Sequence, residues 1–383
     1  MTATARRLES VQEYYFSRKL REVAELIKAG HPIINMGIGS PDLAPPKEVS
    51  EALKKGLQHP KAHMYQSYQG IPELRQAISH FYKKQYHVSL DAQSEVLPLM
   101  GSKEGIMHIS MAFLNKGDQV LIPNPGYPTY AAVTKLVEAE PIFYNLNAEM
   151  KWQPDFKALE ALDTSKIKIC WLNYPHMPTG TPADLATFDR FVGWAAERNI
   201  LLVHDNPYSF ISNKNPQSLL AHDGAKKVAL ELNSMSKSFN MSGWRVGMLC
   251  GNSEKIQAVL KVKSNMDSGM FYGIQQGAIA ALNQSSEWFA GLDKIYRKRR
   301  LLVEQLAKKL ALEIAPNQAG MFVWAKLPKA TMNATDFTDE LLKNHHLFIA
   351  PGTIFGSQGE GYVRFSLCIK EEQIQTAIKR IGS

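Results

Sequence analysis

The chain has 383 residues, 45% of them hydrophobic, which suffices for a large core and for two domains. With 21% charged and 9% aromatic residues it is not a disordered chain, a collagen-like repeat or a coiled coil, and no apolar run is long enough to span a membrane. The densest source of its +8 formal net charge, residues 294–300 (KIYRKRR), reads as the solvated face of a helix; with no nucleic-acid motif beside it, nucleic-acid binding is not expected.

In chain order, the N-terminus carries arginines with no apolar run behind them, so no secretory signal is read there and a cytoplasmic protein is expected. A first helix is predicted over residues 12–29. A second opens with Pro72 in its first turn and buries Leu74, Ile78 and Phe81. The turn Gly101-Ser102-Lys103-Glu104-Gly105 precedes an apolar helix predicted over residues 106–114. Short β-rich apolar runs at residues 120–122, 167–172, 200–203 and 246–250 then alternate with amphipathic stretches. In one of these, Leu185–Arg198, the residues Leu185, Phe188, Val192 and Ala195 recur at helical spacing. Strands alternating with helices predict a mostly parallel sheet with helices on both faces. Beyond about residue 270 the pattern changes. A long helical region over residues 274–310 leads into apolar runs at 321–324 and 362–367, which read as a smaller α+β layer that the first helix joins. The expected fold class is therefore α/β, with a three-layer α-β-α large domain over residues 35–265 and a small α+β domain built from residues 1–34 and 266–383. Cys170, Cys250 and Cys368 each lie in an apolar run and read as buried thiols. Without a C-x-x-C pair they give neither a disulfide framework nor a zinc spacing, and no metal is expected.

The segment richest in chemistry is Ser234-Met235-Ser236-Lys237-Ser238-Phe239, followed by Gly243-Trp244-Arg245-Val246-Gly247. A lysine at a strand end, among small hydroxyl residues and ahead of an arginine in a glycine turn, suits an aldehyde cofactor that bears a phosphate. The amine forms the imine. Ser234, Ser236 and Arg245 offer the phosphate hydroxyl donors and a planar guanidinium. S-x-S-K by itself reads as a surface loop with a solvated lysine; the Gly-Trp-Arg-x-Gly tail turns the reading toward a site. Asp205 closes the apolar run Leu201-Leu202-Val203-His204, so it sits at the carboxyl end of a buried strand, where open α/β sheets bind ligands. A carboxylate there can keep a pyridinium nitrogen protonated, and Tyr208, three residues on, can donate to the ring's phenolic oxygen. The bland reading of Asp205 is a cap or turn residue. Backbone N–H groups of the Gly101–Gly105 turn form a phosphate site at a helix N-terminus, although a plain strand-to-helix turn accounts for the glycines equally well. In Asn124-Pro125-Gly126-Tyr127-Pro128-Thr129-Tyr130, a rigid loop presents Tyr127, whose ring either stacks on a planar cofactor or packs as a structural aromatic.

In this order the segments resemble the fold-type I aminotransferases of class I/II, the aspartate-aminotransferase-like superfamily, nearest its LL-diaminopimelate aminotransferase-like branch. The resemblance runs from about Ile34, in Ile-Asn-Met-Gly-Ile-Gly-Ser-Pro-Asp, to Arg364. It implies pyridoxal 5′-phosphate as cofactor and a ping-pong transfer of an amino group between an L-amino acid and a 2-oxo acid. It implies Lys237 as the Schiff-base lysine and proton shuttle, Asp205 on the ring nitrogen, Tyr208 on the phenolic oxygen and Tyr127 stacked on the ring. Ser102, Lys103, Ser234 and Arg245 are implied at the phosphate. Arg364, in Val-Arg-Phe-Ser, matches the clamp for the substrate α-carboxylate; Gly39 matches the backbone group that touches the same carboxylate, and Asn173 is placed at the substrate. Tyr65, in Met-Tyr-Gln-Ser-Tyr-Gln-Gly, matches a tyrosine that reaches the phosphate of the neighbouring subunit, and Ser268 does likewise, which implies a homodimer with shared active sites.

One position departs from the pattern. Where the family reads Asn-x-Pro-x-Asn-Pro-Thr-Gly, this chain has Asn173-Tyr174-Pro175-His176-Met177-Pro178-Thr179-Gly180. Met177 offers no donor where the family's asparagine bonds the phenolic oxygen. Tyr208 is then the main donor, and His176 is the neighbouring side chain that could compensate. The nearest alternative is a β-lyase or γ-elimination enzyme using the same cofactor. A non-catalytic regulatory domain is remote, because the residues before Ile34 are too few for a DNA-binding extension. A nicotinamide dehydrogenase is weaker still, since Gly37-Ile38-Gly39 lacks the third glycine of G-x-G-x-x-G.

Overall fold

The computed structural model of the protein describes residues 2–11, 13, 15–182, 184–328 and 333–382. Its centre is a seven-stranded sheet in the order Val96–Leu99, Gly247–Gly251, Ala229–Ser234, Leu201–Asp205, Ile167–Leu172, Gln119–Asn124, Glu140–Asn145. Gly247–Gly251 is antiparallel to both of its neighbours, and every other pairing in the sheet is parallel. Successive side chains of a strand point to opposite faces, and here both faces are apolar. Val120, Ile122, Ile169, Trp171 and Val203 enter one layer with Ile106 and Ile109 of Ser102–Phe113 and Ile256 and Val259 of Ser253–Lys263. Leu121, Cys170, Leu172 and Leu202 enter the other, where Leu185–Arg198 contributes Phe188, Phe191 and Val192. The result is a three-layer α-β-α arrangement. Burial on both faces is why its strands read as unbroken apolar runs.

The C-terminal part carries a four-stranded antiparallel sheet ordered Ala350–Pro351, Tyr362–Ser366, Phe322–Lys326, Glu313–Ile314. The N-terminal segment joins it. Ile34–Asn35 pairs in parallel with Leu347–Phe348, and the Ser366 N–H donates to the Met36 carbonyl at 2.7 Å. The first helix, Tyr15–Lys28, packs there too: Lys19 reaches Asp339 of Ala334–His345 at 2.7 Å, and Phe16 meets the ring of Phe355. The helix Tyr272–Leu282 packs instead against Lys47–Gly56 and Pro72–Tyr86; a Cβ added at Gly56 would lie 3.1 Å from the Gly273 Cα.

Several expected boundaries move. The first helix begins at Tyr15 among the described residues, and Gln12 lies outside them. The helix expected from residue 106 begins at Ser102, because Gly101, at φ 103°, turns the chain directly out of its strand and leaves Lys103 to Gly105 helical. Residues 274–310 form two helices, Tyr272–Leu282 and Ser286–Lys309, parted by Asn283, Gln284 and Ser285, two of which favour caps over helix interiors. The basic run is not a uniformly solvated face. Lys294, Arg297 and Lys298 are exposed, but helical spacing turns Arg299 inward, where it donates to both oxygens of Asp42 at 2.6 and 2.8 Å. Arg300 donates to the carbonyls of Gly320 and Phe322 at 3.0 and 3.2 Å. Cys170 and Cys250 are buried, whereas Cys368 is only partly so, since it follows its strand rather than lying within it. Among the described residues, no helix is long and apolar enough to cross a membrane.

Candidate active site

The carboxyl ends of the central strands converge on one cavity of about 600 Å³, a volume suited to a small molecule. Val96–Leu99 leads through Gly101 to Ser102, Gln119–Asn124 to Tyr127 and Ile167–Leu172 to Asn173, while two neighbouring strands end on Asp205 and Ser234. Ser102, Tyr127, Asn173, Asp205 and Ser234 all line the cavity.

Lys237 stands in the short helix Met235–Ser238 that continues the Ala229–Ser234 strand. Ser234 starts that turn by accepting the Ser236 N–H at 3.2 Å. The Lys237 Nζ donates to the Gly39 carbonyl. Burial holds its ammonium below the ordinary lysine pKa, and the charges of Arg364 and Arg245 add to the effect. A lysine so placed is the more readily available as a neutral nucleophile.

Asp205 sits at the floor of the cavity. Its Oδ2 accepts the Tyr130 hydroxyl at 2.8 Å, whereas its Oδ1 is buried with no partner among the described residues. Burial pushes its carboxyl up to about 6, against the Tyr130 bond and the nearby His204. The Asp205 carbonyl accepts Asn173 Nδ2 at 2.7 Å, and Asn173 Oδ1 accepts the Met177 N–H at 2.9 Å. Asn173, expected at the substrate, thus also ties two backbone segments of the site together. Tyr127 and Tyr208 face the same space, and burial pushes the Tyr208 phenol upward.

At one end the cavity is rich in donors. The first turn of Ser102–Phe113 brings Ser102 and Lys103 beside Ser234, Ser236 and Arg245. Arg245 Nη1 reaches the Ser242 carbonyl at 2.8 Å and Ser236 Oγ at 3.4 Å. A Cβ at Gly101 would meet Arg245 Nη2 at 2.1 Å, so a side chain there would push the guanidinium aside, and the positive φ of 103° favours glycine independently. Backbone N–H groups, hydroxyls and two cations together make a site for a phosphate-like anion.

At the other end stands Arg364, on Tyr362–Ser366. It is buried at 4% exposure among the rings of Phe322, Phe355 and Phe16, with centroids 3.9, 4.6 and 5.5 Å from its Cζ. Nη2 donates to the Gly37 carbonyl at 2.8 Å and Nη1 approaches the Met177 sulfur at 3.2 Å. A guanidinium in apolar surroundings is well suited to a carboxylate. Gly39, next to it, has no room for a side chain: a Cβ would lie 2.3 Å from the Phe322 ring.

Two expected residues lie outside the cavity. Tyr65 is 91% exposed and Ser268 is exposed. Their loops adjoin, since a Cβ at Gly269 would lie 2.5 Å from the Gln66 carbonyl. His176 does not compensate for Met177: its Nδ1 pairs with Thr179 Oγ1 at 2.8 Å, it does not line the cavity, and burial pushes its pKa down to about 3. Sequence reasoning missed Tyr130, Phe16, Phe322 and Phe355. Only Tyr130 had a signal, standing three residues beyond Tyr127 at the start of the helix Pro128–Leu136. A cluster of metal-type donors, Glu104, His108 and Asp267, contributes nothing to the cavity lining, and Lys263 already pairs with Asp267 at 2.9 Å.

Known proteins resemble this chain over nearly its whole length. The family model described as "Aminotransferase class I and II" matches residues 31–381. The LL-diaminopimelate aminotransferase of Dehalococcoides mccartyi is 40% identical over 381 residues, covering 99% of this chain and 98% of that protein. That of Aquifex aeolicus is 38% identical over 377 residues, 98% of this chain and 97% of its own. The substrate-bound BacF structure from Bacillus subtilis superposes with a TM-score of 0.95 at 35% identity, covering 100% of this chain and 97% of that one.

Proposed function

The chain belongs to the aminotransferases of class I and II, and from that premise we propose that its cavity works with pyridoxal 5′-phosphate carried on Lys237. The enzyme transfers an amino group between an amino acid and a 2-oxo acid. The observation that carries the cofactor reading is the unpartnered, buried Oδ1 of Asp205, a residue that lines the same cavity as Lys237 and an anion-binding turn. When bound, pyridoxal phosphate supplies an aldehyde that takes up the amine and an electron-poor ring that disperses negative charge from Cα.

The protein's own residues divide the remaining work. Asp205, ionised, keeps a proton on the ring nitrogen. Tyr208 donates to the phenolic oxygen, and Tyr127 covers the ring face. Ser102, Lys103, Ser234, Ser236 and Arg245 anchor the phosphate. Arg364 holds the substrate α-carboxylate, with Gly39 and Asn173 beside it, and so fixes which Cα bond stands ready for cleavage. Lys237 Nζ, as the free amine, takes the Cα proton and returns it as general acid–base. Tyr65 and Ser268 serve the site of a second copy in a homodimer, which accounts for their exposure in the single chain. The same reading divides the chain into a large domain over residues 35–265 and a small one built from residues 1–34 and 266–383, with the helix Tyr272–Leu282 lying against the large domain.

Borohydride treatment of the loaded protein followed by peptide mass analysis tests the reading. The expected result is one pyridoxyl group, on Lys237, and none in Lys237→Ala. A label elsewhere, or no visible absorbance on adding the cofactor, rejects it. Amino acid added alone should leave pyridoxamine phosphate and one equivalent of 2-oxo acid; ammonia with pyruvate would instead mark elimination. LL-diaminopimelate, for which the relatives are named, belongs first in a panel of amino donors, beside neutral, aromatic and acidic amino acids.

A further inference from the structure

Resting on the reading that pyridoxal phosphate occupies this cavity, we propose that Tyr130 is the positioning residue for Asp205: its hydroxyl fixes Oδ2 so that Oδ1 is left, ionised, for the ring nitrogen, and its ring braces Tyr127. Tyr130 is completely buried in the first turn of Pro128–Leu136. One ring face lies on Trp171, with centroids 4.7 Å apart and planes 8° from parallel. The Tyr127 ring meets it edge-on at 5.5 Å and 86°. A ring wedged in this way has no room to swing, so the position of its hydroxyl is set by packing. That hydroxyl donates to Asp205 Oδ2 at 2.8 Å. Asp205 is thereby held from two sides, its carboxylate by Tyr130 and its carbonyl by Asn173.

The bond also decides the charge. A carboxyl removed from water favours its neutral form, and a donor to the ionised form opposes this. The ionisable groups around the Asp205 carboxylate are Tyr130 from the helix, Tyr127 at the residue before it, Tyr208 beyond the strand, Lys237 across the cavity and His204 on its own strand. His204 faces away, its Nδ1 2.8 Å from Glu231. Among the described residues, Tyr130 is the one whose side chain bonds the carboxylate. Burial raises the Tyr130 phenol well above its ordinary pKa, so it stays a donor throughout the working range.

Tyr130→Phe removes the hydroxyl and keeps the ring, its stack and its burial. Isotope-edited infrared spectroscopy on cofactor-free protein, with the Asp205 band identified by subtracting Asp205→Asn, reads the carboxyl titration directly. The midpoint should rise by about one pH unit. The affinity for pyridoxal phosphate should fall about tenfold, and kcat should fall while the KM for the amino donor holds. A merely structural residue would lower the melting temperature without moving the midpoint, and that result overturns the proposal. Should Tyr130→Phe fail to fold, 3,5-difluorotyrosine at position 130 retains the hydroxyl and strengthens it as a donor. The midpoint should then move down, and a midpoint that stays in place overturns the proposal equally. The two readings fail differently. A wild-type protein that takes up no pyridoxal phosphate overturns the cofactor reading together with the role given to Tyr130. Uptake by wild type, with unchanged midpoint and affinity in Tyr130→Phe, overturns the proposal alone.

Discussion

The sulfur of Met177 lies 3.2 Å from Nη1 of Arg364, the same guanidinium whose Nη2 donates to the Gly37 carbonyl at 2.8 Å. A thioether accepts weakly and donates nothing. With His176 turned to Thr179, Tyr208 is the cavity side chain left from the expected pair to donate to a phenolic oxygen. Met177→Asn adds an amide N–H at this position. A second donor stabilises the cofactor's phenolate and loosens its hold on the neighbouring imine proton. The visible absorbance of the loaded variant should therefore titrate lower than wild type by about one pH unit. Spectral titration of both proteins decides the matter; coincident curves would refute it.

Asp205 carries a cost that its function explains. Burial raises its carboxyl from 3.8 to about 6, so ionising it inside the fold opposes folding. The stability associated with the neutral acid is complete below about pH 4 and is lost as the pH rises through about 6. In cofactor-free protein, Asp205→Asn should therefore raise stability at pH 8 by up to about 3 kcal/mol, with little change at pH 4. The same substitution should slow amino transfer at least about a hundredfold. Urea unfolding at the two pH values measures the first effect. Equal changes at both would show that burial does not raise the Asp205 carboxyl above its ordinary value in the folded chain.

Gly101 and Gly117 separate backbone strain from crowding. Both have positive φ, 103° and 85°, so alanine is strained at either. Only at Gly101 does a Cβ meet a neighbour, Arg245 Nη2 at 2.1 Å; at Gly117 nothing lies within 4 Å. Each alanine variant should lose about 1 kcal/mol of stability. Gly101→Ala alone should also displace the guanidinium and weaken pyridoxal phosphate binding about tenfold or more. Fluorescence titration with the cofactor measures this. Equal affinities in the two variants would remove Gly101 and Arg245 from the phosphate site.

What could be read before folding, and what could not, follows from where each partner lies in the chain. The central strands were legible because burial on both faces leaves long apolar runs. Lys237, Asp205 and Arg245 were legible because each stands in a local pattern of hydroxyls, glycines or a strand end. Tyr130 was marked only by its place three residues beyond Tyr127, since its partner Asp205 is 75 positions away. Arg299 looked like one more solvated base until Asp42, 257 positions away, came beside it. The start of Ser102–Phe113 was misplaced because Gly101 is a breaker in sequence terms, whereas at φ 103° it is the residue from which the helix departs.

Tyr65 supplies the most direct test of a shared site. Its ring is 91% exposed, with Met64 at 63% and Met266 at 59%, an arrangement that a second copy of the chain would cover. If Tyr65 serves the partner's cofactor, a site needs Lys237 from one chain and Tyr65 from the other. Lys237→Ala protein has no intact site, and Tyr65→Ala protein has only weakened ones. Co-expressing the two variants under different tags, and purifying the mixed dimer, brings an intact Lys237 and an intact Tyr65 together in one site of the two. Activity should return to about half that of wild type, a recovery that neither variant shows alone. Were Tyr65 to act within its own chain, every site of the mixed dimer would lack one of the two residues, and no such recovery would appear.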